Sequence, residues 1–357
     1  MNYNNFSTKQ HMKSYPTFLV WDFFKTILYI CYLITKSQLL KHFSKFQLMK
    51  KILSICFLFI TLQPSFAQKE KVKTLANGTC LDSDWKLEFE DNFNGTVLDK
   101  NVWKMREYSQ GSFDKEGSHE YYSFDNVKVE NGVCKLIPKK ETVIRNAVNW
   151  KPDTLVLEDG KKNNRTYNYT SGWIETKKEF HYGKYEIRCK IPKGKSLWPA
   201  FWMYGEKNGI NNEIDVFEFW NPQNSFGKYT PKKLAMQHHM TLHFNHKMSG
   251  ENYIGPDYSL DYHTFTVVWD STKIEWYVDG ALKRTSTQYL TKRGKNVDCK
   301  NVKANRIYLL NPVFPTAPME ILANIAIQSG KNSPDENTFN NPIYEIDYIR
   351  YYKPIAK

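Results

Sequence analysis

From Trp85 onward the chain is written as short alternating runs divided by turn signals, and this pattern restricts the fold more than any other feature. Asn126–Leu136 reads NVKVENGVCKL, two alternating runs around Asn131-Gly132, a pair suited to the left-handed backbone of a tight hairpin. Lys184–Ile191 (KYEIRCKI) alternates and stops at Pro192. Phe265–Trp269 and Ile274–Val278 alternate too, and Asp279-Gly280 closes the second run with a turn. Tyr344–Tyr352 (YEIDYIRYY) supplies a late strand. There is no long amphipathic helical pattern, internal repeat or low-complexity linker. Many short strands without strand–helix alternation predict an all-β sandwich or barrel, and about 270 residues fit one such domain.

Charge needs dissection before it points to a partner. The 357 residues carry 50 Lys and Arg against 37 Asp and Glu, a net +13. Residues 1–67 contribute eight lysines and a single acid, Asp22; without them 42 basic residues face 36 acidic ones, a net +6. No Lys/Arg run longer than two residues remains, so nucleic acid is not an expected partner. Aromatic residues reach 15%, enough for a large core, a stacking surface, or both.

The basic leader has its own reading. Met49-Lys50-Lys51, the apolar run Ile52–Leu62 and the small-x-small end Ser65-Phe66-Ala67 describe a secretory signal peptide over 49–67. The apolar run is shorter than the roughly 20 residues of a membrane span, so no span is expected in the mature chain. Residues 1–48 read as an upstream extension of doubtful status, 68–82 as an entry segment, and 83–354 as the β-sandwich domain of a secreted, monomeric protein. The last strand ends close to Lys357, so no appended module is expected. Secretion removes Cys31 and Cys56 and leaves Cys80, Cys134, Cys189 and Cys299 in an oxidising compartment. Three pairings are open, as is the reading of Cys134 and Cys189 as free thiols buried in strands.

The sharpest chemical feature is Asn212–Trp220, NEIDVFEFW. Three acids within six residues of an apolar strand are costly unless they face water or perform chemistry. Period-two geometry puts Glu213 and Asp215 on one face; Glu218 joins them only if a β-bulge near Val216-Phe217 inserts one residue. Four effective steps separate the two Glu backbones by roughly 13 Å. Side chains leaning together close this to about 5–6 Å, the separation of a retaining glycosidase pair. Asp215 between them is placed to share a proton and set their pKa values apart. The competing reading is a solvated acidic edge strand.

Motifs in order along the chain sharpen this. Glu213-x-Asp215-x-x-Glu218, preceded by Leu197-Trp198-Pro199-Ala200-Phe201-Trp202-Met203, resembles glycoside hydrolase family 16. The likeness runs from Trp85 and Phe89–Gly95 through Thr170-Ser171-Gly172, Tyr182–Arg188, Thr241-Leu242-His243, Asp261–Thr264 and Trp276–Gly280 to Glu345–Arg350. It implies a jelly-roll β-sandwich of the concanavalin A-like lectin/glucanase type, two curved antiparallel sheets with a substrate cleft on the concave face. It implies Glu213 as nucleophile, Glu218 as acid/base and Asp215 as assisting acid, in the bulged form found in laminarinases, agarases and carrageenases. The expected function is endo-acting, retaining hydrolysis of a β-linked polysaccharide. A transglycosylase and a non-catalytic carbohydrate-binding protein on the same scaffold are the alternatives.

Supporting positions follow from parity and from the resemblance. Trp198 and Trp202 share parity and Trp220 shares it with Glu218, so all three are candidate platforms for sugar faces. Trp173 is a further substrate-binding candidate, standing where many laminarinase-like members carry Arg. With Asn212 where Gly is frequent, it leaves β-1,3-glucan and red-algal galactan both open. His238, His239, His243 and His246 lack an evident third ligand and second shell for zinc, and the resemblance makes His243 a cleft-lining residue. Lys228, Lys232 and Lys233 in Asn221–Leu234 read as a cleft rim, solvated or facing sulfate. No cofactor is expected for catalysis. The resemblance implies a structural calcium, with Asp347 and Glu90 as candidate ligands.

Overall fold

The computed structural model describes residues 71–73 and 84–355, apart from 106, 108–118, 147–163, 220–232, 243–244 and 304–305. The expected signal peptide and upstream extension, Cys80, Trp220 and His243 therefore lie outside the described residues, as does most of the expected lysine-bearing rim. No described helix is long and apolar enough to cross a membrane.

Strands β1 (Lys71–Lys73), β2 (Asp84–Asp91) and β3 (Trp103–Met105) come first. β4 (Glu120–Tyr122) leads to the hairpin β5 (Val127–Glu130) and β6 (Val133–Leu136). β7 (Val143–Asn146), β8 (Asn164–Tyr167) and β9 (Tyr169–Ser171) precede β10 (Trp173–Thr176). The long strands are β11 (Gly183–Lys190), β12 (Leu197–Lys207), β13 (Ile210–Glu218), β14 (Lys233–Leu242) and β15 (Asn245–Ile254). β16 (His263–Trp269), β17 (Lys273–Val278) and β18 (Ala281–Thr287) make a meander. β19 (Tyr289–Leu290), β20 (Ile307–Leu310), β21 (Glu320–Ile327) and β22 (Tyr344–Ile355) close the chain.

Two antiparallel sheets carry the fold. One has seven strands in the order β15-β14-β13-β12-β21-β10-β3; the other has eight, β18-β17-β16-β11-β22-β6-β5 with β2 on β22. The turns between adjacent strands are the ones the dipeptides dictate. Asn131-Gly132 and Asp279-Gly280 both hold positive φ (54° and 73°, 48° and 77°), as a two-residue hairpin requires. The entry segment is not idle, since Lys71–Lys73 pairs with β20.

Alternation then builds the core. Phe201 and Met203 of β12, Ile214 and Phe217 of β13, and Ile321, Ala323 and Ile325 of β21 are buried on one face of the seven-stranded sheet. They pack in one cluster with Ile187, Phe265, Val267, Trp269, Trp276, Ile346 and Ile349 of the eight-stranded sheet. Burying a side chain of this size is worth about 1.5–3 kcal/mol, and the whole alternating set fixes which face of each strand stays open. Gly205 shows how tightly β12 is seated: a Cβ there would stand 2.0 Å from the Pro318 carbonyl oxygen. The molecule is an all-β jelly-roll sandwich. Cys134 and Cys189 are free and buried, and Cys299 is disulfide-bonded, which closes the question of pairing between the first two.

Candidate active site

β13 carries the acids, and its neighbours act as rulers. On β12, Tyr204 pairs with Glu213, Trp202 with Asp215 and Ala200 with Glu218. Phe201 pairs with Phe217, so the register steps between Phe201 and Trp202 and Val216 has no counterpart. The same step recurs on β14, where Asp215 pairs with Gln237 and Glu218 with Ala235. One extra residue thus returns Glu218 to the face of Glu213 and Asp215, while Phe217 and Ile214 stay in the core. The spare carbonyl at the step is satisfied from the opposite sheet: Trp276 Nε1 of β17 donates to the Asp215 backbone oxygen at 2.8 Å.

The three acids sit in different surroundings. Glu213 and Glu218 are half-buried, whereas Asp215 is buried. Burial, and then the charge of Glu218, push the Asp215 carboxyl well above its ordinary range; a hydrogen bond with Glu213 and the Arg284 guanidinium work against this. Arg284 is itself buried, stacked 4.3 Å over Trp276, and donates to the Met236 carbonyl at 2.9 Å. Glu218 is held by two neutral donors. Trp198 Nε1 gives a hydrogen bond to Oε1 at 3.1 Å, and the Gln237 amide gives one to Oε2. Ala200, opposite Glu218, contributes little bulk above the strand.

An aromatic floor continues across the open face. Trp202 and Trp173 meet edge-on at 5.5 Å, and Tyr122 meets Trp173 at 5.0 Å. Trp202 Nε1 donates to Asn324 Oδ1 at 2.8 Å, and Asn324 Nδ2 donates to Tyr122 Oη at 2.9 Å. Trp198 keeps partial exposure, but Trp202 and Trp173 are 9% and 2% exposed. These two rings therefore pack as floor, with little free ring surface. Among the histidines, His246 is exposed on β15.

The calcium expectation meets a mismatch. Asp347 is ion-paired with Arg188, and Glu90 with Arg350 at 2.7 Å. No group of three or more His, Cys, Asp or Glu residues suited to a metal occurs among the described residues. Both candidate ligands already hold a guanidinium, so their surroundings do not fit a cation.

Some cleft residues escaped the sequence reading. Tyr204 was accessible by parity with Trp202. Gln237 and Asn324 reach the face only through strand pairing, which no local pattern reveals. Glu175 and Glu320 form a third feature with Lys104, whose Nζ lies 2.9 Å and 2.6 Å from their carboxylates.

A two-sheet jelly roll with a file of acids and aromatic rings on one open face is the build of a carbohydrate-active β-sandwich protein. The chain belongs to glycosyl hydrolases family 16, whose profile matches residues 144–349. It is 27% identical over 299 residues to glucan endo-1,3-beta-glucosidase A1 of Niallia circulans, covering 75% of this chain and 38% of that protein. It therefore spans well under half the length of that relative. Among solved structures it is similar to the catalytic domain of an endo-1,3-beta-glucanase (laminarinase) from Thermotoga petrophila RKU-1, at 30% identity and a TM-score of 0.56, covering 77% of this chain and all of that one. Endo-beta-1,3-glucanase from Pyrococcus furiosus matches at 26% identity and a TM-score of 0.56, covering 80% and 100%.

Proposed function

We propose that the chain is a secreted, endo-acting β-glycan hydrolase that works with retention through Glu213, Glu218 and Asp215. The observation that carries this reading is the register step on β13, which collects the three acids on one open face. Measured along β12, Glu213 and Glu218 stand four residues apart, roughly 13 Å between backbones, within reach of side chains that lean together. A retaining pair needs its carboxyls about 5–5.5 Å apart. The relatives' names favour a β-1,3-glucan as substrate.

In this mechanism Glu213 attacks the anomeric carbon while Glu218 gives its proton to the leaving oxygen. Glu218 then takes a proton from water, which frees the glycosyl–Glu213 ester. Burial favours the protonated form of Asp215, and its hydrogen bond with Glu213 lets the two carboxyls share a proton, leaving Glu213 an anion at the moment of attack. Gln237 suits both states of Glu218, because its amide presents N–H to a carboxylate and C=O to a carboxylic acid after a half-turn. Trp198 fixes the other oxygen.

The test is reducing-end release on laminarin, lichenan, agarose, porphyran and carrageenans, with Glu213→Gln as control. Activity on a glycan, lowered by about 10⁴-fold or more in the variant, with the first-formed product keeping the β-anomer by NMR, supports the reading. An α-anomer first product overturns retention. Sequencing the amino terminus of exported protein tests the leader, with Gln68 the expected first residue.

A further inference from the structure

Tyr204 of β12 has two neighbours on the open face: Glu213 on β13 and Glu320 on β21. Glu320 thus lies in the same row as the proposed nucleophile, two strand spacings or roughly 10 Å away. That is the reach of a disaccharide rather than of one ring. Behind it, Lys104 Nζ bridges Glu175 Oε1 at 2.9 Å and Glu320 Oε1 at 2.6 Å, and Trp173 Nε1 donates to Glu175 Oε2 at 3.1 Å. Glu175 is sealed, with 1% of its side chain exposed, whereas Glu320 keeps 21%. Glu320 is therefore the carboxylate of this cluster left accessible on the open face.

The cluster has one cation for two carboxylates. Lys104 gives two of its three N–H groups to the carboxylates, and with both acids ionised the site carries an excess negative charge. Glu320 opens a strand, EILANIAI, whose one other polar residue is Asn324. Resting on the hydrolase reading above, we infer that Glu320 is a specificity-determining residue: it accepts hydrogen bonds from the hydroxyls of an uncharged sugar over β21 and repels a ring bearing sulfate or carboxylate there. The open choice between neutral glucan and sulfated galactan then falls to the neutral glycan. Discrimination by a repulsive charge is a common device, because like charges brought together cost more than a lost contact gains.

The charge on Glu320 follows pH. Burial, and then the hydrogen bond that protonated Glu320 gives to Glu175, push its carboxyl up to about 7, against the pull of Lys104. The groups that bear on it are Lys104 from β3, Glu175 from β10, and Tyr204 from β12 with Glu213 beyond it. Rejection of anionic rings should therefore strengthen as pH rises through about 7.

The experiment compares kcat/KM on laminarin and on chemically sulfated laminarin for the wild-type chain and Glu320→Gln, from pH 5.5 to 8.5. We expect wild type to favour the neutral glycan and Glu320→Gln to narrow the ratio by about tenfold, mainly through KM. On laminarin itself the variant should bind more weakly, read as a raised KM, because Glu320 accepts from the hydroxyls of the neutral sugar. The pH dependence of the ratio should flatten in the variant. An active wild type whose ratio is unmoved by Glu320→Gln overturns this inference alone, as does a wild type that prefers carrageenan or porphyran. A folded wild type inactive on every glycan overturns the hydrolase reading and this inference with it. A circular-dichroism melt of Glu320→Gln separates loss of fold from loss of selectivity, and Glu320→Asp, which keeps the charge, should retain the wild-type preference.

Discussion

Each sheet of the sandwich carries a β-bulge beside an aspartate, and the two are put to different use. On β13 the step falls after Asp215; on β22 it falls at Asp347, where Arg188 pairs with Tyr348 but Cys189 pairs with Ile346. In both strands the extra residue lets the apolar side chains return to the core, as Ile214 and Phe217 do on one strand and Ile346 and Ile349 on the other. The polar outcome differs. Asp347 remains a third exposed and takes Arg188 as a partner, and its neighbours repeat the pattern: Lys190 with Glu345 at 3.0 Å, Lys184 with Glu186 at 3.0 Å. Asp215 is driven inside, and nearby Glu218 is held by an indole and an amide. A carboxylate paired with arginine is committed to that ion pair. A carboxylate among neutral donors or in a dry site stays free to trade protons, which is what hydrolysis asks of it.

The strongest way to break this contrast is at Glu218. Glu218→Gln keeps the shape and both hydrogen-bonding neighbours but removes the exchangeable proton. Hydrolysis of an unactivated glycan should fall by about 10²–10⁴-fold, while a substrate with a highly acidic leaving group, which needs no proton, should lose far less in its first step. Equal losses on both substrates would mean that Glu218 binds and does not act as an acid.

Asp215→Asn comes next. Asparagine still offers an N–H to Glu213 but cannot share a titrating proton with it, which should cost on the order of 10²-fold in kcat. Stability should move the other way. Because folding raises the Asp215 pKa, its carboxyl favours the fold below its unfolded pKa, and that support is lost as pH rises toward the folded value. The variant should therefore melt higher than wild type at pH 8, with the gap closing toward pH 4. A lower melting temperature at pH 8 would show that Asp215 is a structural anion like Asp347.

The chain's pattern makes some of this legible and hides the rest for physical reasons. Hairpins at Asn131-Gly132 and Asp279-Gly280 are local, since the dipeptide itself tolerates the required φ. The acids of β13 are legible because carboxylates are out of place on an apolar strand, and Val216-Phe217 signals the step because strict alternation would send Glu218 into the core. In YEIDYIRYY the same break in alternation, between Ile346 and Ile349, was available but carries no chemical oddity to draw attention. Trp173 and Trp202 sit at the right parity, yet parity does not say how deeply a ring is covered by its neighbours across the sheet. Lys104, Glu175 and Glu320 lie on three strands separated by up to 216 positions, so their cluster exists only through tertiary pairing.

The smallest expected effect lies at the second bulge and sharpens the contrast from the other side. Asp347→Asn leaves Arg188 without its anion, but both groups are about a third exposed, and a pair so screened is worth at most about 1 kcal/mol. A urea melt should shift its midpoint by little, with an unchanged slope. Activity on the preferred glycan should be that of wild type. Any change in melting temperature on adding calcium or a chelator should be the same in the variant as in wild type, because Arg188 already occupies the carboxylate that a cation would need. A calcium response lost in Asp347→Asn would instead mean that Arg188 yields to the ion, and that this bulge, like the one on β13, shapes a site.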